Sequence, residues 1–144
     1  MLQRFTAEES EQLCGQWELA YPADREGIHV EQFMWHVFSF ERYPSVSQGA
    51  ALAEYEKQEA PKYMVLADDK TEGLITDLRP TTVSNADYLV CPLNWAWTMA
   101  FTHEDEDLGP YFAVHRDYGR LQAANLKGMR KVREAEIAKQ RGWV

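Results

Sequence analysis

The sequence predicts an α+β fold, with a mainly antiparallel sheet of four to five strands, helices packed on one face of it, and a long C-terminal helix. Three observations predict this fold. Residues 95–103 alternate in the way that is typical of a strand. Residues 48–59 and 117–140 have apolar side chains at helical spacing. The chain has 144 residues, of which 45% are apolar, so we expect one domain over residues 1–144.

The first element is a helix. Thr6 and Glu9 have the spacing of a capping box, in which a hydroxyl and a carboxylate satisfy the first backbone N–H groups of a helix. This helix is expected to end near Ala20, because Pro22 cannot continue its hydrogen bonding. The segment 30–40 fits two structures: Phe33, Val37 and Phe40 have the spacing of a helix stripe, but aromatic and β-branched residues favour a strand at 35–40.

A second helix and three strands follow. Ser47 is the expected N-cap of a helix over 48–59, whose core-facing residues we predict to be Ala51, Leu52 and Tyr55. Short apolar runs separated by polar turns then predict the strands. These runs are residues 62–67, 73–77 and 88–91.

A hairpin is predicted over residues 94–115. One face of its first strand has large side chains, namely Trp95, Trp97, Met99, Phe101 and His103. The opposite face has small side chains, so we expect it to be thinly covered or exposed to solvent. Four consecutive acids at 104–107, followed by Gly109 and Pro110, predict the turn, and residues 111–115 predict the returning strand.

The last element is a helix over residues 117–140. Its inward stripe is expected to consist of Tyr118, Leu121, Asn125, Met129 and Val132. Charged residues dominate after Val132, so the final turns, about 136–144, are expected to project or fray.

The charge is unevenly distributed along the chain. The net charge is −8. Residues 116–144 contain eight basic and three acidic residues, a charge of +5, so residues 1–115 contain seven basic and twenty acidic residues, a charge of −13. This acidic part should repel nucleic acid and anionic membranes and attract a basic protein. We therefore expect a basic protein partner, no nucleic acid and no membrane; the oligomeric state stays open.

The N-terminal residues lack an apolar signal core, and no stretch approaches the roughly 18 apolar residues of a membrane span, so we expect a cytoplasmic protein. Cys14 and Cys91 are expected to be buried thiols in a helix and a strand, without a disulfide.

The sequence contains no motif for catalysis or cofactor binding, so we expect no catalytic residues, no cofactor and no metal. The alternative is a small hydrolytic or metal-dependent enzyme that uses His103 and nearby carboxylates such as Asp105 and Asp107. In a strand, His103 and Glu104 would point to opposite faces, which disfavours a catalytic pair. His36 is interpreted as a buried histidine of the core rather than a catalytic base.

One pattern, W-T-x-x-x-T-H-E…G-P-Y-F, resembles a family of small bacterial proteins without an assigned activity. Here it consists of Trp97, Thr98, Thr102, His103, Glu104, Gly109, Pro110, Tyr111 and Phe112. Small acidic proteins of this kind are similar to immunity proteins of contact-dependent growth inhibition and polymorphic toxin systems. The resemblance implies a protein that binds and neutralises a toxin, for which a basic nuclease domain is the expected target. It transfers no catalytic residues.

The expected binding residues are acids in the two turns, because turns are accessible to a partner. They are Asp68, Asp69, Glu72, Glu104, Asp105, Glu106 and Asp107.

Overall fold

The computed structural model describes residues 2–21, 38, 43–68, 71–80, 87–102 and 110–142. Within these residues, seven strands form one sheet in the order β1-β4-β3-β5-β6-β7-β2, with every neighbouring pair antiparallel. The strands are β1 (Leu2–Arg4), β2 (Val46–Ser47), β3 (Tyr63–Ala67), β4 (Gly73–Thr76), β5 (Tyr88–Pro92), β6 (Trp97–Phe101) and β7 (Tyr111–Val114). The described helices are α1 (Ala7–Ala20), α2 (Gln48–Glu56) and α3 (Tyr118–Gln140). The α+β class and the antiparallel pairing are therefore confirmed.

The number of strands was predicted wrongly, as four to five. The difference comes from β1 and β2, which have three and two residues and form the two edges of the sheet. Strands this short cannot display the alternation by which a strand is recognised. The predicted strand at 35–40 lies outside the described residues except for Phe38, which is helical and buried.

The prediction that helices cover one face was also wrong, because they lie on both. On one face, α1 contributes Cys14 and Trp17 to a cluster with Leu66 and Leu89. On the other face, Ala51 and Tyr55 of α2 pack in a second cluster with Val90, Trp97 and Met99, against which Tyr118 and Leu121 of α3 also pack.

The small-residue face of β6 explains this difference. It was expected to be thinly covered, but Thr98 and Ala100 are fully buried under α1. The indole Nε1 of Trp17 donates to Thr98 Oγ1 at 2.9 Å. The small side chains of β6 leave space for the large side chain of Trp17, which comes from a helix that is distant in sequence. The face that was expected to be thinly covered is therefore closely packed.

The two helix starts that were predicted in the first half of the chain are both confirmed. Thr6 and Glu9 form the capping box, and Ser47 is the N-cap of α2, although its side chain makes no capping hydrogen bond. The α2 helix ends at Glu56, and Leu52 is exposed rather than directed to the core.

The pairing registers define the two ends of the sheet. At one end β3 finishes at Ala67, which is opposite Tyr88 at the start of β5, and Tyr88 is opposite Phe101 at the end of β6. Both α1 and α2 begin at this same end, since Phe5 N donates to Gly73 O and Gln48 N donates to Pro110 O. The α3 helix follows the last residue of β7 and so begins at the opposite end.

Gly73 lies in a close contact between β4 and α1. A Cβ atom there would lie 2.9 Å from Phe5 Cδ2, 3.0 Å from the backbone oxygen of Val65 and 3.1 Å from Ser10 Oγ. We expect Gly73→Ala to lower the free energy of unfolding by about 1–3 kcal/mol, because the backbone oxygen cannot move without disturbing the β3–β4 pairing. Denaturant unfolding measures this. Gly15→Ala is the control, because its Cβ would meet nothing within 4 Å and should stabilise the helix.

Candidate functional site

The two turns that contain the expected binding residues belong to the same end of the sheet. The segment 69–72 connects β3 to β4, and residues 103–109 join Thr102 to Pro110. In the sheet, β3 and β6 are separated only by β5, so the strand ends that anchor the two turns lie about 10 Å apart at the usual spacing of about 4.8 Å between neighbouring strands. The topology therefore brings together the strand ends that anchor two connections some 35 residues apart in the sequence.

Of the seven expected binding residues, the structure describes two. Glu72 is exposed, and Asp68 is 3% exposed. The backbone N–H of Asp68 donates to Asp87 O at 3.0 Å, which links the end of β3 to the residue before β5. Asp69 and residues 104–107 lie outside the described residues. Asp68 is therefore part of the buried interior at this end of the sheet, whereas Glu72 is accessible to a partner.

Further acids, which the sequence reasoning did not include, lie at the same end. The first turn of α1 has Glu8 and Glu9, both exposed, and Asp87 precedes β5. We call the surface formed by Glu8, Glu9, Glu72 and Asp87 the acidic end. The positive poles of two helices, α1 and α2, are at this end of the sheet, and such poles stabilise nearby carboxylates. The signal in the sequence for the additional acids was the pair of glutamates in the helix turn that follows Thr6.

The opposite end of the sheet contains α3, and polar side chains attach it. Asn94, in the turn between β5 and β6, donates to Leu121 O at 2.9 Å and accepts from Asn125 Nδ2 at 3.3 Å. Gln122 Nε2 donates to Glu59 O at 3.2 Å, and Tyr118 donates its hydroxyl to Gln58 Oε1 at 3.0 Å. The orientation of α3 is therefore fixed by hydrogen bonds as well as by apolar contacts.

Only the first half of α3 is attached in this way. Gln122 and Asn125 are buried, whereas every residue from Arg130 to Ile137 is exposed, including Val132, which was predicted to face inward. Within this exposed part, Arg133 Nη2 forms an ion pair with Glu59 Oε2 at 2.8 Å. That the final turns, about 136–144, project or fray stays a prediction; the run of exposed residues begins before them, at Arg130.

Neither thiol is suited to nucleophilic chemistry. Cys14 and Cys91 are fully buried and form no disulfide. Burial raises the pKa of Cys91 to about 12, so the thiolate that a nucleophile requires is not formed at neutral pH. The expectation of buried thiols is confirmed.

The burial of Cys91 and of Tyr21 predicts loss of stability in alkali. Burial raises the pKa of Cys91 from 9.0 to about 12 and raises the pKa of Tyr21 well above its usual value. An acid whose pKa is higher in the folded state stabilises the fold fully below its unfolded pKa and ceases to do so as the pH rises. We therefore expect the free energy of unfolding to fall between pH 9 and about 12 in denaturant titrations. Cys91→Ala should make this decline shallower, and an unchanged slope would contradict the assignment.

A metal site is not formed by the described residues, among which no three His, Cys, Asp or Glu side chains are grouped to hold an ion. His36, His103, Asp105 and Asp107 lie outside them. No helix in the described part of the chain combines the length and the apolar character that crossing a membrane requires.

Comparison with known proteins identifies a family. A family model named DUF4275, described as a domain of unknown function, matches residues 16–112, which is more than half of the chain. This match contains the residues on which the resemblance to an uncharacterised family was based, and it fits that part of the expectation. No curated protein and no solved structure matched the chain.

Proposed function

We propose that this chain, which belongs to the DUF4275 family, is a binding protein that docks a basic protein partner on its acidic end. The finer form of the proposal is an immunity protein, in which the partner is a toxin and docking blocks its active surface. A basic nuclease domain suits this role, because a surface that grips a phosphate backbone is positively charged.

The observation that carries the proposal is the strand topology. It directs the β3–β4 connection, the start of β5 and the β6–β7 connection to one end of the sheet, beside the acidic first turn of α1. Residues 1–115 have a charge of −13, and the described acids at this end are Glu8, Glu9, Glu72, Asp87 and the buried Asp68. A charge concentrated on one surface raises the association rate and orients the partner. The same charge spread evenly mainly causes repulsion between copies.

The rigidity of the surface supports the same proposal. Its described acids lie in the first turn of α1 or directly before β4 and β5, next to strands β3, β5 and β6, whose residues are mostly buried. A partner would then meet carboxylates held by a rigid sheet, which reduces the entropy lost on binding.

The test is binding to the protein encoded by the gene immediately upstream. The variant combines Glu104→Gln, Asp105→Asn, Glu106→Gln and Asp107→Asn. We expect it to weaken binding at least tenfold, mostly through a slower association rate, as measured by surface plasmon resonance.

A matched control neutralises four acids away from the acidic end, and it should change binding by less than about threefold, because distant charges are screened. These acids are Glu54, Glu56, Glu134 and Glu136, which lie on α2 and α3. Equal weakening by the two variants would mean that only net charge matters, and would contradict a defined surface. An absence of binding to the upstream product would remove the toxin form of the proposal.

A further inference from the structure

The long helix α3 is attached to the rest of the molecule mainly through polar side chains. The two residues that it buries, Gln122 and Asn125, are both amides. Gln122 Nε2 donates to Glu59 O in the connection from α2 to β3, and Asn125 Nδ2 donates to Asn94 Oδ1 in the turn before β6. We infer that α3 is a hinged helix, which undocks from these contacts as a unit while the sheet stays folded.

The apolar side chains of α3 contribute little to its attachment. Leu126, Val132 and Ile137 are 44%, 41% and 46% exposed. Tyr118 and Leu121 pack against the second cluster, but both are only partly buried. Burial of apolar surface is the main favourable term when two elements dock. The attachment of α3 is therefore weaker in this respect than that of α1 and α2, whose buried residues include large aromatic side chains.

The hydrogen bonds of α3 can be exchanged for hydrogen bonds to water when the helix leaves. Tyr118 donates its hydroxyl to Gln58 Oε1 at 3.0 Å, and Asn94 Nδ2 donates to Leu121 O at 2.9 Å. These side chains would meet solvent once α3 had moved away, so opening leaves no buried polar group without a partner at these positions. Because the exchange is nearly even, such bonds orient the helix more strongly than they hold it.

The chain between β7 and α3 provides the hinge. His115 N donates to Ala96 O at 2.9 Å, which keeps this part of the chain on the sheet. The next two residues form a turn, and Asp117, the N-cap of α3, makes no side-chain capping hydrogen bond. Rotation of the backbone at Arg116 and Asp117 would move the helix without breaking a strand pair, because the pairing of β7 with β6 ends at Val114.

Gly128 distinguishes docking of α3 from its folding. A Cβ atom at this position would lie 2.7 Å from Pro61 Cγ and 3.6 Å from Pro61 Cδ. The proline ring is closed on its own backbone and cannot rotate away. Gly128→Ala would therefore disfavour the docked position, whereas in the undocked helix it would raise the helix propensity. The variant should open the hinge without melting the helix.

The first test is native-state hydrogen exchange of the wild-type protein, measured by nuclear magnetic resonance at low denaturant concentrations. We expect the amides of residues 122–129 to exchange about tenfold faster than those of β5 or more, and to share one opening reaction that precedes global unfolding. Equal protection of α3 and β5, with the same dependence on denaturant, would overturn the inference.

The second test measures the opening with two spin labels. They are attached through Ala53→Cys on α2 and Ala135→Cys on α3, both at exposed positions, while Cys14 and Cys91 are fully buried and stay unlabelled. Pulsed electron paramagnetic resonance should give one narrow docked distance as the main population. Gly128→Ala should add a broad second population and raise the ratio of undocked to docked molecules by about tenfold.

Two further variants serve as controls. Gly119→Ala adds a Cβ that meets nothing within 4 Å, so it should keep the distances of the labelled parent. Adding Pro61→Ala to Gly128→Ala removes Cγ and Cδ of the ring and leaves a Cβ 4.0 Å from the added atom, so it should restore docking.

Three results would contradict the hinged helix. They are a docked distance that Gly128→Ala leaves unchanged, a double variant that stays undocked, and a loss of helical circular dichroism in Gly128→Ala, which would mean that the helix unfolds rather than undocks. The inference does not rest on the proposed function, because none of these measurements involves the acidic end or its partner.

Discussion

Trp97→Ala is expected to lower the free energy of unfolding by about 3–5 kcal/mol. Trp97 is fully buried in β6, where it stacks on Phe112 with ring centroids 5.9 Å apart and meets Tyr55 at 5.8 Å and Tyr63 at 6.2 Å. These neighbours come from β7, α2 and β3, so the cavity would be shared by several elements and would not collapse easily. Denaturant unfolding monitored by far-UV circular dichroism gives the value.

A conservative pair of variants separates packing from hydrogen bonding. The indole N–H of Trp97 has no hydrogen-bond acceptor among the described residues, whereas that of Trp17 donates to Thr98. Trp97→Phe therefore loses volume but also removes an unsatisfied donor, while Trp17→Phe loses volume and a hydrogen bond. We expect Trp17→Phe to be more destabilising by about 1 kcal/mol. The reverse order, or a Trp97→Ala cost below about 1 kcal/mol, would contradict this description of the core.

Asn94→Ala is expected to release the attached half of α3 and to lower the free energy of unfolding by about 2–3 kcal/mol. The Asn94 amide donates to Leu121 O, and its oxygen accepts from Asn125 and from the backbone N–H of Ala96. The change leaves the buried Asn125 with one fewer partner. Hydrogen exchange should accelerate at residues 118–129 by more than in β5.

The control for Asn94→Ala is Gln140→Ala, at the exposed last residue of α3. It removes a side-chain amide that lies outside the attachment, and it should change stability by less than about 0.5 kcal/mol. Uniform acceleration of exchange over the whole sheet in Asn94→Ala would mean that α3 and the sheet unfold together. In that case the turn at Asn94 would be part of the general core rather than a local attachment of the helix.

Local signals predicted the local structure well. Thr6 and Glu9 predicted the capping box because both groups belong to the first turn of one helix. The alternation at β6 and the apolar run at β3 likewise predicted strands, because each pattern lies within a single element. The exception is Trp95, which was assigned to the strand but lies in the preceding turn with φ of +64°, a conformation that a bulky residue rarely adopts. Its carbonyl accepts a hydrogen bond from Tyr21, a contact that spans 74 residues.

Features that depend on distant contacts could not be predicted. The burial of Thr98 and Ala100 requires Trp17, which is 81 residues away from Thr98 in the sequence. The edge strands β1 and β2 are too short to be recognised without their partners β4 and β7. The position of β3 between β4 and β5 likewise follows from pairing across a connection rather than from a pattern in β3 itself.

The candidate site could be predicted from the sequence in part only. The sequence identified acidic turns, and the strand order then placed their anchoring strands at one end, together with Glu8 and Glu9, which the sequence had assigned only to a helix start. The burial of Asp68 beside Asp87 was not predictable, because a single acid in a polar turn is normally exposed.

We propose that the acidic end is the surface that attracts a positively charged protein. The most direct measurement is a nuclear magnetic resonance titration of the isotope-labelled protein with an oligolysine peptide at low ionic strength. We expect the amide shifts to concentrate at Glu8, Glu72, Gly73 and Asp87 and to be small at residues 118–129 of α3. Shifts spread evenly over all exposed acids, or centred on Glu54 and Glu56 at the end of α2, would contradict it.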